Sequence, residues 1–336
     1  MPAENPLALL FETFTAYQRT GALKGAVDLD LFTAIAEGNA TAAAVAARCR
    51  APERGVRILC DTLTALGFLQ KHDDRYALDP AVGPFLDRRS PVYLGSAVTF
   101  LASPTVRESF SDVAAAVRKG GTVMGEQGTL SAEHPVWVDF ARSMAPMAAM
   151  VGQLLADLLD LEPARPAKVL DVAASHGMFG IRIAERHPRA EVVALDWRNV
   201  LPVAAENARK AGVASRFRLL PGDAFAVDWG RDHDVVLLPN FLHHFDRATC
   251  ETALGKAHRA LVPGGRVAIV EFVPDESRVT PPDAATFALV MLTMTPSGDA
   301  YTFREYEEMA RKAGFVRSEL HALLPSPQRV VVSYRD

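Results

Sequence analysis

Over residues 1–95 the apolar positions recur in short helical runs. Leu7, Leu10, Phe11, Phe14 and Tyr17 stand three and four apart, which predicts an amphipathic opening helix. A second helix is expected over Thr41–Arg50, with the Thr41 hydroxyl placed to cap its first turn. Pro52 and Gly67 bracket a third, with Val56, Leu59, Leu63 and Leu66 on one face. Phe68–Leu78 then reads as two short strands about an Asp-Asp turn. Helices followed by a hairpin make a winged helix-turn-helix pattern. Residues 96–165 are mainly helical and form a linking and pocket segment, in which Trp137, Phe140, Met144 and Met147 share one helical face. Such a stripe belongs to a core more often than to a ligand wall.

From Lys168 the period changes. Strands are expected at 168–173, 191–196, 216–220, 233–239, 266–272, 315–321 and 329–334, with helices near 177–187, 200–212, 248–261, 283–294 and 302–314. Alternation of this kind predicts an α/β layer with a parallel sheet. The last two strands, joined through Pro325-Ser326-Pro327, can pair only as a hairpin, so one antiparallel edge strand is expected. The domain division is thus 1–95, 96–165 and 166–336.

Composition narrows the class. The chain has 336 residues, 49% hydrophobic and 23% charged, enough apolar surface to offset the entropy of ordering it. With 36 Lys+Arg against 40 Asp+Glu the net charge is −4, too balanced for a protein that binds phosphate backbones. Residues 1–95 hold ten basic and eleven acidic side chains, and the helix that would read DNA mixes Arg54 and Arg57 with Glu53 and Asp61. That favours a packing and dimerisation module over a DNA reader. No apolar run is long enough to span a bilayer, and the start MPAENPLALLFE, with Glu4 and Glu12, lacks the basic region of a signal peptide. Cys49, Cys60 and Cys250 are odd in number and scattered, which suits free thiols in the cytoplasm. No spacing signature points to a metal.

Ligands of open α/β sheets sit at the carboxyl ends of strands, where strand order reverses. After the first strand comes Asp171-Val172-Ala173-Ala174-Ser175-His176-Gly177, whose small residues permit close approach to the backbone beside a helix start. The second strand ends in Asp196-Trp197, an acid for ribose hydroxyls and an indole for a purine face. Asp223, after the third, is placed to accept from an adenine amino group, although a lone acid there is often a turn former. Together they imply an adenosine with an amino-acid-like tail. The fourth strand gives Asn240-Phe241-Leu242-His243-His244, two candidates for proton transfer, and the fifth ends in Glu271, which could orient a histidine, bond a substrate group or pair with a basic neighbour.

Taken together, VLDVAASHG (169–177), ALDW (194–197), PGDAF (221–225), LPNFLHHFD (238–246), LVPGGRVAIVE (261–271) and YTFREYEEMARKAGF (301–315) resemble the S-adenosylmethionine-dependent O-methyltransferases of the plant-catechol (caffeate-like) type, in their bacterial branch. The resemblance covers nearly the whole chain and implies a Rossmann-like catalytic half behind a winged-helix dimerisation half, hence a homodimer acting on a small-molecule acceptor. It implies S-adenosyl-L-methionine as cofactor, its methionine end in the loop after Asp171 with Gly177 at the close approach. It places the ribose on Asp196 and the adenine on Asp223 and Phe225. Ala173, Ser175, Trp197, Gly222, Ala224 and Asn240 complete the implied cofactor set. His243 takes the family's general-base position, Glu271 that of an assisting acid, and Met144 that of a pocket methionine. With Met144 stand Phe140 and Met147, and across from them Phe287, Met291 and Met294 of an expected lid, suited to an aromatic or polyketide-like acceptor.

Three positions depart from the family: Ala-Ala-Ser-His where glycines are usual, His244 where an aspartate follows the base, and Ala300 where a second glutamate stands. They keep alternatives open: C- or N-methylation, a non-methylating S-adenosylmethionine-binding protein, and a small-molecule-sensing winged-helix regulator. His244 or Glu271 is expected to hold the His243 ring, and Asp299 is the residue nearest the missing glutamate.

Overall fold

In the computed structural model, residues 5–162 and 165–336 are described; residues 1–4, Glu4 among them, and 163–164 lie outside them. The chain divides into two units, up to Arg107 and from Glu108 to Asp336. In the first, α1 (Pro6–Asp28), α2 (Leu31–Ala36), α3 (Ala42–Cys49) and α4 (Glu53–Ala65) precede a hairpin of β1 (Leu69–His72) and β2 (Arg75–Leu78), then α5 (Ala97–Leu101). Thr41 caps α3 as expected, its hydroxyl accepting from Ala44 N at 3.3 Å, and Asp73 takes the left-handed conformation of the hairpin turn. Ala26, Leu31, Phe32, Val45, Val56, Cys60, Leu63, Leu69 and Tyr76 make the core of this unit. The anticipated apolar stripe of α1 is present but unburied: Phe11 and Phe14 are each 65% exposed and Tyr17 72%. Arg57 and Lys71 of this helix-and-wing surface both pair with Asp61.

The boundary falls inside α6 (Pro104–Ser109). The second unit continues with α7 (Val113–Lys119) and α8 (Val136–Leu159), then β3 (Ala167–Val172), α9 (Met178–Arg186), β4 (Ala190–Asp196), α10 (Leu201–Lys210), β5 (Phe217–Pro221) and β6 (His233–Pro239). There follow α11 (Arg247–Ala260), β7 (Leu261–Glu271), α12 (Pro282–Met294), α13 (Phe303–Lys312), β8 (Arg317–Ala322) and β9 (Arg329–Tyr334). The seven strands run in the order β5-β4-β3-β6-β7-β9-β8, with β3 to β7 parallel. Alternate residues of each strand serve opposite layers. Val169, Val192, Val235 and Ala268 pack towards α8, α9 and α10, whereas Leu170, Leu195, Val236 and Ile269 pack towards α11 and α13.

One expectation is corrected. The antiparallel strand is β9, and it lies one place in from the edge, bonded to β7 on one side and β8 on the other. The crossover through α13 sets β8 parallel to β7 but one strand-width away, and the returning hairpin fills the gap. Strand order reverses between β3 and β6, so the crevice for a ligand opens at their carboxyl ends.

Candidate active site

The loop after β3 winds through three left-handed residues, Ala173 (φ 53°), Ser175 (φ 53°) and Gly177 (φ 73°). It is pinned to the end of β4: Ser175 N donates to Asp196 Oδ2 at 2.7 Å, and Trp197 N donates to the other oxygen at 2.6 Å. Burial lifts the Asp196 carboxyl to about 6 against these two donors. Each oxygen takes one N–H and so keeps a lone pair for a hydroxyl. Ser175 Oγ is enclosed with no partner among the described residues. An unclaimed hydroxyl beside an incompletely used carboxylate fits the amino-acid tail and ribose of S-adenosylmethionine.

Several predicted cofactor residues hold the loops themselves. Asp171 is fully buried beneath the first loop, where Oδ2 accepts from Gly180 N at 3.0 Å, so it braces the start of α9 from below rather than lining the crevice. A Cβ on Gly177 would come within 3.0 Å of Ala204 and 3.1 Å of Phe217, so packing on α10 and β5 by itself calls for glycine. His176 is absorbed into the protein: its Nδ1 accepts from Met178 N at 3.2 Å, and its ring stacks on Phe140. Burial alone takes it down to about 4, so it is neutral. Asp223 makes the turn, accepting from Phe225 N at 2.8 Å. Gly222 N bonds the Asp196 carbonyl at 2.9 Å, and the Ala224 carbonyl accepts from Trp229. Phe225 joins Phe241 and Phe245 in an aromatic cluster, while Trp197 packs with Trp137, Val138 and Val200.

The densest constellation lies at the ends of β6 and β7. Glu271 is fully buried, and its Oε1 receives three backbone N–H groups, those of Phe241 (3.1 Å), Leu242 (3.0 Å) and His243 (3.3 Å). Its Oε2 is in short contact with His243 Nδ1. Burial drives each group towards its neutral form, raising Glu271 to about 8 and lowering His243 to about 3. With Oε1 saturated by donors, any shared proton lies between Oε2 and Nδ1, and His243 Nε2 is left as the chemically available nitrogen. Glu271, not His244, holds the His243 ring. His244 bonds the Phe241 carbonyl through Nδ1 at 3.2 Å instead. Its ring lies 4.2 Å from that of His243 and edge-on to Trp137 at 5.3 Å, while Phe287 of α12 meets the His243 ring at 4.8 Å.

Of the proposed wall, Phe287 touches His243, Phe140 touches His176 and Trp137, Met144 and Met147 are half-buried on α8, and Met291 and Met294 are buried in α12. Asp299 does not stand in for the missing glutamate: its carboxylate is engaged by Ala300 N at 2.8 Å and by Arg278 at 3.5 Å. Sequence reading missed Gly298, which packs on the His243–His244 backbone, and Gln328, whose amide donates to Asn240 Oδ1 from the residue just before β9. It also missed Lys256, which bonds the carbonyls of Phe225 (2.9 Å) and Val227 (2.8 Å). None belongs to a local pattern; each acts across at least 29 residues of chain.

The sequence and the fold both have relatives among known proteins. An O-methyltransferase domain model matches residues 110–316 and an O-methyltransferase dimerisation domain model residues 11–86. The chain is 30% identical over 309 residues to a 3-hydroxy-5-methyl-1-naphthoate 3-O-methyltransferase of Streptomyces sahachiroi, covering 91% of this chain and 88% of that one. It is 28% identical to a tetracenomycin polyketide synthesis 8-O-methyltransferase of Streptomyces glaucescens, over 89% and 88% of the two chains. A solved structure from Nostoc punctiforme, assigned as an O-methyltransferase, is 51% identical with a TM-score of 0.92, covering 99% of this chain and all of that one. The chain therefore belongs to the S-adenosylmethionine-dependent O-methyltransferase family, with a dimerisation domain ahead of the catalytic one.

Proposed function

We propose that the protein methylates a hydroxyl of a small aromatic or polyketide-like acceptor, with His243 as general base and Glu271 as its partner. The observation that carries this reading is the buried His243–Glu271 pair at the strand-order reversal, with Nδ1 engaged and Nε2 unengaged among the described residues. The acceptor class is supported by relatives whose names specify a hydroxynaphthoate and a tetracenomycin polyketide. Bound S-adenosylmethionine supplies a methyl group activated on a sulfonium, with a neutral thioether as leaving group. Ala173, Ser175 and Gly177 frame its tail, Asp196 accepts from the ribose, and Asp223 with Phe225 borders the adenine. Trp197, Gly222, Ala224 and Asn240 shape those loops. Phe140, Met144, Met147, Phe287, Met291 and Met294 give an adaptable apolar wall for the acceptor.

His243 Nε2 would take the proton of the acceptor hydroxyl, leaving its oxygen as the nucleophile for methyl transfer. The positive charge that develops on the ring is balanced by Glu271, so the buried pair gains a proton and becomes neutral. A phenol with a pKa of about 10 is mostly protonated at neutral pH, and a placed base adds roughly 10²–10⁴-fold. Orientation of the two reactants supplies the larger share, up to about 7–11 kcal/mol. The N-terminal unit serves a homodimer rather than a nucleic acid, a reading supported by its balanced charge and by the pairing of Arg57 and Lys71 with Asp61. The three free thiols suit a cytoplasmic enzyme. The test is His243→Ala with a hydroxynaphthoate acceptor, followed by S-adenosylhomocysteine formation. The expected loss in kcat is roughly 10²–10⁴-fold, with unchanged S-adenosylhomocysteine affinity by calorimetry. Near-normal turnover would overturn the assignment.

A further inference from the structure

His244 is the polar group of the site that the proton transfer leaves unused. Its Nδ1 bonds a backbone carbonyl, an acceptor only, so Nδ1 carries the ring proton and Nε2 carries the lone pair. The neighbouring His243 is anchored the same way, through Nδ1, to the carboxylate that gathers the N–H groups of Phe241, Leu242 and His243. Both rings are thus tied by Nδ1 to the base of one turn, and both Nε2 atoms lie on the far sides of rings whose centroids are 4.2 Å apart. Among the described residues neither Nε2 has a hydrogen-bond partner, yet neither is an enclosed, unpartnered atom, so both open onto accessible space. Trp137 closes one side of the pair and Phe287 the other. Burial and the adjacent imidazole hold His244 low, to about 3, which keeps it a neutral acceptor.

We propose that His244 is a specificity-determining residue: its Nε2 accepts a hydrogen bond from a second hydroxyl of the acceptor, ortho or peri to the one that is methylated. This rests on the proposed function of His243 and names the substrate class of that same site. Two lone pairs on adjoining rings are served together only by two donors on neighbouring or facing carbons. An acceptor with a single hydroxyl leaves one of them without a partner, which a largely dry site penalises.

The experiment compares matched acceptors, phenol with catechol and 2-naphthol with 2,3-dihydroxynaphthalene, by S-adenosylhomocysteine release. Wild type is expected to favour the diol in kcat/KM by roughly tenfold or more. His244→Ala should abolish that preference, lowering kcat/KM for the diol more than for the monohydroxy acceptor, chiefly through the KM of the diol. His244→Asn, which keeps an accepting oxygen, should restore part of the preference, and it preserves the test if the alanine variant fails to fold. Equal handling of both acceptors by wild type, or parallel loss on both in the variants, would overturn the inference and leave the role of His243 standing. No turnover of any of the four acceptors by wild type would overturn the proposed function, and this inference with it.

Discussion

Glu271 carries three backbone N–H groups and an imidazole with no contact with water, an arrangement that makes its charge costly and its position rigid. When Glu271 is ionised and His243 neutral, the pair has one proton and Nε2 can act as base. On taking a second proton the pair is neutral and Nε2 is no longer free. Because burial raises Glu271 to about 8 and lowers His243, the second proton binds near or above neutrality, so kcat/KM should rise with pH and level off above about 8. In Glu271→Gln the amide cannot ionise, so the limb near 8 should vanish and kcat should fall roughly a hundredfold or more. A pH–rate profile of both proteins decides it; an unchanged limb in the variant would assign it to another group. Asp299, committed to Ala300 N and Arg278, is not available for that part.

Elements bring these residues together, and one contact shows how tightly. The loop after α12 folds over the His243–His244 turn: Asp299 N donates to the His243 carbonyl at 2.9 Å, and Gly298 N donates to Thr295 Oγ1 at 2.9 Å. A Cβ at Gly298 would overlap that carbonyl and sit 2.6 Å from Thr295 Oγ1 and 3.0 Å from His244 C. Gly298→Ala should therefore displace the base, lowering kcat at least about tenfold and stability by roughly 1–3 kcal/mol, read by kinetics and urea unfolding. A variant with wild-type values on both would show that the loop yields freely. The contrast with the strands explains what was legible in the sequence. The apolar runs around Leu170 and Val236 identify buried parallel strands because each residue's neighbours impose the same local period. The placement of His243, Glu271 and Asp196 at strand ends was legible from the alternation of strands and helices, and strand ends are where ligands of such a sheet bind. Gly298, Gln328 and Lys256 were not, since their partners come from other elements and their spacing carries no period. Nor could alternation show that β9 inserts beside β7: a hairpin pairs its own strands in either order, and only the crossover through α13 decides which one reaches the sheet.

At the scale of the molecule, what stands out is apolar surface that the single chain leaves uncovered. Leu7, Leu10, Phe11, Phe14 and Tyr17 line α1, with Phe11 and Phe14 packed edge to face at 6.3 Å and both largely in solvent. The same unit holds an open groove of about 450 Å³ lined by Leu23, Val27, Phe85, Leu86, Leu94 and Val98 among others. A contiguous apolar face of this kind on a lone chain marks a protein interface, and here it lies within the segment matched by a dimerisation domain. Aromatic residues at the centre of such an interface carry most of its energy. Replacing Phe14 by Glu would set a charge against the partner's apolar surface, where it loses water without gaining a partner. The substitution touches nothing in the core of its own protomer, since the ring is 65% exposed, so melting of the monomeric fold should shift little. The dimer dissociation constant, by sedimentation equilibrium, should rise at least about tenfold. Phe14→Leu should keep it near wild type, which separates loss of apolar contact from a change in the helix itself. A Phe14→Glu protein that remains dimeric at the same concentrations would place the interface elsewhere and leave the exposed stripe of α1 to another partner.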